Sequence, residues 1–166
     1  YFSTELIDKN SMSWIDKVEY ALEKSKEQLF QLPWKYRPSV IKNDKKKILI
    51  LEEIRRVLKN KNDNKFIEKF VKESFKKLKV KEVSSLNGDL DKKISWRLVK
   101  KLNKSKLFTV GGHSHKHVSL TSLTLNQAKK QIDTSFRLFK NKSGISLKHY
   151  SYPEGQKKDF NNNIIK

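Results

Sequence analysis

The stretch Leu107-Phe108-Thr109-Val110-Gly111-Gly112-His113-Ser114-His115-Lys116-His117 carries the main information on fold and function. Its first four residues are typical of a short β-strand, and the two glycines predict that this strand ends there. Three of the four histidines in the chain follow within five residues. Because α/β proteins usually bind ligands beyond the carboxyl ends of their strands, this position favours a ligand site.

The spacing of these histidines allows two geometries. A turn of helical pitch places His113 and His117 on one side, and neutral imidazole is a common ligand for zinc and similar divalent metals. Ser114 favours the turn, since its hydroxyl can cap an amide two or three residues further on. A fully extended segment would instead point His113, His115 and His117 to one face, although the double glycine argues against a regular strand. His113 and His117 are therefore candidate metal ligands, raised above the commoner surface or capping role by the glycines, the serine and the position after a strand. Two ligands alone are not a complete site, because a catalytic zinc normally takes three from the protein.

The residues after the histidines complete a β-α-β pattern. Thr124 and Gln127 form a capping-box signature for a helix that runs to about residue 141, and Gly144 predicts its end. Residues 147–152 are β-prone and close at Pro153-Glu154-Gly155. In a parallel sheet the two loops open on the same side, so we expect Pro153-Glu154-Gly155 to lie near His113 and His117.

The first half of the chain is predicted to be mainly helical. Apolar residues recur every three or four positions in four segments, near residues 14–30, 45–59, 64–78 and 94–102. Pro33 and Pro38 bracket a loop that contains Trp34 and Tyr36, and Asn87-Gly88-Asp89 is a turn signal. The only domain boundary that the sequence indicates is a weak one near residue 85.

Composition limits the classes of function. The chain has 166 residues, no cysteine, and 38 Lys and Arg against 18 Asp and Glu, which gives a formal net charge of +20. The lack of cysteine excludes thiolate metal sites and disulfides, and leaves the compartment open between cytoplasmic and exported in a bacterium. The basic charge favours anionic surroundings, although its spread along the chain is typical of solvated helix faces. No apolar run approaches the roughly 20 residues that cross a bilayer.

Residues 113–117 resemble the His-Ser/Thr-x-x-His motif of polysaccharide deacetylases with a NodB homology domain, carbohydrate esterase family four. Tyr150-Ser151-Tyr152-Pro153-Glu154-Gly155 resembles the aromatic-x-Tyr-Pro-x-Gly motif of that family, and residues 94–102 resemble the helix before the histidine motif. The resemblance implies that His113 and His117 bind a divalent metal, zinc being the expected ion. It also implies that Tyr152, Pro153 and Glu154 contact substrate, with the backbone amide of Glu154 in the oxyanion hole.

The resemblance further implies a fold and a reaction. The implied fold is α/β, a partial deformed (β/α) barrel of the polysaccharide deacetylase type, with residues 1–166 as one partial domain and residues 10–85 as a helical insertion within it. Residues 1–4 resemble an early strand of that barrel. The implied reaction hydrolyses acetyl groups, chiefly the N-acetyl groups of amino sugars, on a glycan, which makes the chain a hydrolase of non-peptide carbon–nitrogen bonds.

Departures from the family pattern are equally plain. The Thr-Phe-Asp-Asp-Gly motif with its base aspartate is not found in the sequence, nor is the late Leu-x-His acid motif. No catalytic base or acid is therefore assigned, and we expect the 166-residue chain alone to be inactive or nearly so. Ser151 stands where many members carry arginine, and Glu154 where tyrosine is common.

Other interpretations stay open. The net charge and the Trp34, Tyr36 and Arg37 loop allow a basic nucleic-acid-binding module, although no binding motif is recognised and we expect no nucleic-acid partner. A second alternative is a non-catalytic relative that binds glycan. His149 is interpreted as structural or exposed, Asp133 as a helix-face charge, and Asp159 as the cap of a final helix.

Overall fold

The computed structural model describes residues 1–85, 88 and 92–165, which form two compact units. One unit joins Tyr1–Ser11 to Ser85–Lys166, and the other is Met12–Ser84. The predicted turn at Asn87-Gly88-Asp89 lies outside the described residues except for its glycine. The elements, in chain order, are α1 (Thr4–Lys9), α2 (Trp14–Lys24), β1 (Leu29–Phe30), β2 (Ser39–Val40), α3 (Asp44–Lys61), α4 (Asn64–Lys77), α5 (Trp96–Lys104), a 3-10 turn (Leu120–Ser122), α6 (Leu125–Ser143) and α7 (Asn162–Ile165).

Side-chain caps set the helix starts in the Met12–Ser84 unit. Ser13 and Asp16 form a capping box at the start of α2, while Asn43 and Asp63 accept hydrogen bonds from backbone amides at the starts of α3 and α4. Asn62 adopts the left-handed conformation, with φ 50°, that ends α3. The helices predicted near residues 45–59 and 64–78 are therefore present, joined at residues 62–63, and each packs against α2.

The core of this unit is apolar and involves all three helices and the small sheet. β1 and β2 pair antiparallel, with Leu29 opposite Val40 and Phe30 opposite Ser39. The completely buried side chains of the cluster include Val18, Leu22, Phe30, Leu32, Ile54, Leu58 and Leu78. Most of the periodic apolar positions face this core, whereas Ile48 is 56% exposed and Ile50 is buried in its place.

The second unit is built around three backbone segments in parallel. Gly112 forms isolated bridges to Phe2 on one side and to Tyr150 on the other. A small buried cluster of Val99, Val110 and Phe139 joins α5 and α6 to this strip, and Trp96 packs edge-on against Phe139 at 5.2 Å. The parallel bridge between Gly112 and Tyr150, with α6 between them in the chain, is the geometry of a β-α-β unit.

The structure corrects several predicted elements. The first predicted helix ends at residue 24 rather than 30, because the chain then enters the β1–β2 hairpin that the sequence did not reveal. Residues 107–110 and 147–149 form no strand, and pairing is confined to Gly112 and Tyr150. The early strand expected at residues 1–4 is reduced to a bridge at Phe2, since α1 begins at Thr4.

The fold class is therefore mixed, with helices dominant. A partial barrel is not confirmed, because the described residues contain one two-stranded sheet and isolated bridges. Within the same residues, every helix is too short or too polar to cross a membrane.

Candidate metal centre

Gly112 positions both loops of the candidate site. Its amide donates to the carbonyl of His149 at 3.0 Å, and its carbonyl accepts from the amide of Ser151 at 2.9 Å. The amide of Phe2 donates to the carbonyl of Gly111 at 3.0 Å on the opposite side. Since the segments are parallel, the residues after Gly112 and the residues after Tyr150 leave the strip at the same end.

His113 and His117 lie side by side at that end. Their ring centroids are 4.8 Å apart, with 64° between the ring planes. The segment between them is not helical, and the chain reverses instead through left-handed backbone at Ser114, with φ 59°, and at His117, with φ 55°. The two rings are thus adjacent, as their spacing predicted, but they are brought together by a non-helical turn rather than by a helical one.

A hydrogen bond fixes the tautomer of His113. Its Nδ1 lies 2.8 Å from the carbonyl oxygen of Ser151, which can only accept, so Nδ1 carries the proton and Nε2 presents a lone pair. Burial lowers the pKa of His113 below its ordinary value, and the neighbouring His117 acts in the same direction. Both effects favour the neutral ring, which is the form that a metal ion binds.

His115 points elsewhere. Its Nδ1 lies 2.9 Å from the hydroxyl of Thr4, a completely buried residue of α1. The alternative with three histidines on one extended face is therefore wrong. The predicted cap by Ser114 is also wrong, because its buried hydroxyl has no hydrogen-bond partner among the described residues.

The turn after Tyr150 is packed by aromatic rings. The ring of Tyr152 meets that of Tyr150 edge-on, with the centroids 5.3 Å apart, and stacks on that of Phe160, with the centroids 5.2 Å apart. Pro153 is buried. Glu154 is left-handed, with φ 66°, which is uncommon for a residue other than glycine. Such backbone is held only where the surroundings impose it, and it occurs often at functional sites.

The remaining candidate ligands are not part of this pair. His149 and Asp133 are exposed, as their structural interpretations expected. Asp159 is 1% exposed and does not cap α7, which begins at Asn162 after Asn161. Its burial was missed by sequence reasoning, because its partner Ser119 lies 40 positions away and no local pattern links the two.

The donor set of the site is consequently two imidazoles. Across residues 1–85, 88 and 92–165 there is no group of three or more His, Asp or Glu side chains placed to hold a metal ion. The two histidines fit part of the coordination sphere of a divalent metal, and no carboxylate of the described residues completes it.

The comparison with protein families matches residues 62–166 to a family described as polysaccharide deacetylase. The match covers more than half of the chain, so this protein belongs to the polysaccharide deacetylase family. Family membership indicates a deacetylase, a hydrolase that acts on carbohydrate, and a glycan substrate. Comparisons with curated proteins and with solved structures found no significant match.

Proposed function

We propose that this protein is a metal-dependent polysaccharide deacetylase that hydrolyses acetyl groups, chiefly N-acetyl groups of amino sugars, with His113 and His117 as ligands of a divalent metal, zinc being the expected ion. One observation carries the proposal: the two rings are 4.8 Å apart, and the hydrogen bond to Ser151 leaves Nε2 of His113 available. The family match supplies the chemical class.

The residues of the site have distinct tasks in this proposal. A bound divalent metal would act as a Lewis acid and lower the pKa of a water molecule to roughly 7. Ser151 orients His113 through its carbonyl, as outer partners of metal ligands commonly do. The backbone amide of Glu154 would donate to the oxyanion of the tetrahedral intermediate, and Tyr152 and Pro153 would form the adjoining wall of the substrate site.

The two-unit organisation supports the proposed domain plan. The unit with the histidines is interrupted in sequence, since Tyr1–Ser11 and Ser85–Lys166 belong together while Met12–Ser84 forms its own unit. Such an interruption supports an insertion across residues 10–85 of a deacetylase domain, although the family match already begins at residue 62, within that segment. The parallel bridges at Gly112 support a partial (β/α) barrel as the plan of the interrupted unit.

The metal proposal is tested by calorimetric titration of the 166-residue chain with zinc. We expect the wild type to bind one zinc ion, and His113→Ala and His117→Ala to weaken binding by more than about tenfold, because each removes a ligand. His149→Ala is the matched control, since it removes an exposed histidine that lies outside the pair. Equal losses in all three variants, or full affinity in His113→Ala, would contradict the proposal.

The reaction is tested by acetate release from chitin oligomers. The 166 residues contain no Asp-Asp motif, so we expect little or no release from this chain alone. We expect metal-dependent release from a longer natural protein that contains this sequence together with such a motif. Zinc binding without any turnover in that longer protein would favour the non-catalytic glycan-binding alternative.

A further inference from the structure

Asp159 is a buried carboxylate that the proposed chemistry does not use. It is 1% exposed in a chain whose formal net charge is +20. Oδ1 accepts from the hydroxyl of Ser119 at 2.9 Å, and Oδ2 accepts from the backbone amide of Gln156 at 3.1 Å. Burying a carboxylate is costly unless hydrogen bonds compensate it, so these two partners define where the side chain can sit.

The two partners belong to different loops of the candidate site. Ser119 is two residues after His117, and Gln156 is two residues after Glu154. A second bond ties the same segments, because the hydroxyl of Thr121 donates to the carbonyl of Lys158 at 2.7 Å. The contacts of Asp159 therefore span from the end of the histidine turn to the end of the Pro153–Gly155 turn.

We propose that Asp159 is a positioning residue that fixes the distance between the His113–His117 pair and the backbone amide of Glu154. This inference rests on the proposed deacetylase function, in which the pair holds the metal and Glu154 binds the oxyanion. A displacement of about 1 Å between two such groups is enough to impair catalysis strongly. The bond between Ser119 and Asp159 is the one by which Asp159 reaches the other loop, whereas its bond to Gln156 only closes a local turn.

Ser119→Ala is the sharpest variant, because it removes the bond from Asp159 to the histidine loop and leaves both the Asp159–Gln156 turn and the Thr121–Lys158 bond. Ser143→Ala is its matched control: Ser143 is 8% exposed against 7% for Ser119, and its hydroxyl donates to the carbonyl of Phe139 within α6. Ser119→Thr keeps the hydroxyl and should restore the wild-type result. Thr121→Ala, at a partly exposed residue, is the milder second variant should Ser119→Ala fail to fold.

The measurements are zinc affinity by calorimetry and, without metal, the nuclear magnetic resonance signals of the His117 ring and the Glu154 amide. We expect Ser119→Ala to weaken zinc binding by about tenfold and to shift both signals, and Thr121→Ala to do so to a smaller degree. Ser143→Ala should change affinity less than about twofold and leave both signals in place, even where its loss of thermal stability is equal.

The outcomes separate the two proposals. Wild-type zinc affinity and unshifted signals in Ser119→Ala, with binding still abolished in His113→Ala, would overturn the positioning role alone. No zinc binding by the wild type would overturn the metal site, and the metal-free signals would then still decide whether Asp159 couples the loops. Equal shifts of the His117 and Glu154 signals in Ser119→Ala and Ser143→Ala would overturn the positioning role, because Asp159 would then contribute only to the stability of the fold.

Discussion

Gly112 is the residue on which the candidate site depends most directly. It pairs with backbone on both sides, and the space above its Cα is filled by neighbouring side chains. A Cβ atom there would lie 3.0 Å from Cδ1 of Leu147 and 3.0 Å from Cδ2 of Tyr150. Glycine at this position thus allows a close approach of chains, which is a common reason for glycine within paired strands.

We expect Gly112→Ala to destabilise the chain by about 1–3 kcal/mol, because the added methyl group overpacks the contact with Leu147 and Tyr150. Gly144→Ala is the control, since nothing lies within 4 Å of its Cβ position and its cost of about 1–2 kcal/mol comes only from left-handed backbone. Urea unfolding measures both. A Gly112→Ala variant as stable as the wild type would show that Leu147 and Tyr150 move aside at no measurable cost in free energy.

At the scale of elements, the sequence predicted helices better than strands, for physical reasons. Helix ends are set by local chemistry, so Ser13 with Asp16, and Thr124 with Gln127, mark the starts of α2 and α6, and Gly144 ends α6 as expected. Strand propensity depends on the partners that pair, so residues 107–110 satisfied the composition rule without pairing. Likewise the double glycine, read as the end of a strand, lies where pairing occurs.

The candidate site was predictable to the same extent. The spacing of His113 and His117 predicted that their side chains lie close together. The parallel order of the segments likewise predicted that the loop after Tyr150, which contains Ser151, lies near His113. The hydrogen bond of His115 to Thr4 is different, because it joins residues 111 positions apart. Contacts of that separation leave no periodic signal in a single sequence.

A second prediction concerns the loop between β1 and β2. Burial alone would raise the pKa of Glu53 on α3, but hydrogen bonds from Lys35 and from Nε1 of Trp34, with the charges of Lys35 and Arg56, outweigh it and lower that pKa below its ordinary value. A lowered pKa in the folded state stabilises folding above the unfolded pKa, and this contribution is lost as the carboxylate is protonated.

We therefore expect the free energy of unfolding to fall more steeply in the wild type than in Glu53→Gln between about pH 5 and 3.5. The difference at neutral pH should be below about 1 kcal/mol, because the Lys35 partner is partly exposed. Glu23→Gln changes an exposed residue and serves as the control. Parallel pH profiles for the wild type and Glu53→Gln would show that this carboxylate is not coupled to folding.

At the scale of the whole molecule, the net charge of +20 favours electrostatic binding to polyanions. Trp34, in the loop that suggested nucleic-acid binding, is not free to stack on a base. Its ring stacks on that of Phe70, with the centroids 5.4 Å apart, and its Nε1 donates to Oε1 of Glu53 at 3.0 Å. Tyr36, which is 98% exposed, is the aromatic residue of this loop that remains open to a base. Charge and base stacking can therefore be separated by one substitution.

Because no nucleic-acid partner is expected, any association of single-stranded DNA with the chain should be non-specific and depend on charge alone. Affinity should then fall by orders of magnitude between about 50 and 200 mM salt, as counterion release requires. Fluorescence anisotropy should give the same affinity, within about twofold, for the wild type and Tyr36→Ala, because a tyrosine that stacks on a base would contribute about 1–3 kcal/mol. Arg37→Gln, which removes one neighbouring charge, should reduce the salt dependence slightly in comparison. A tenfold or greater loss of affinity in Tyr36→Ala would instead show that the loop stacks on bases. The nucleic-acid-binding interpretation of this loop would then be supported.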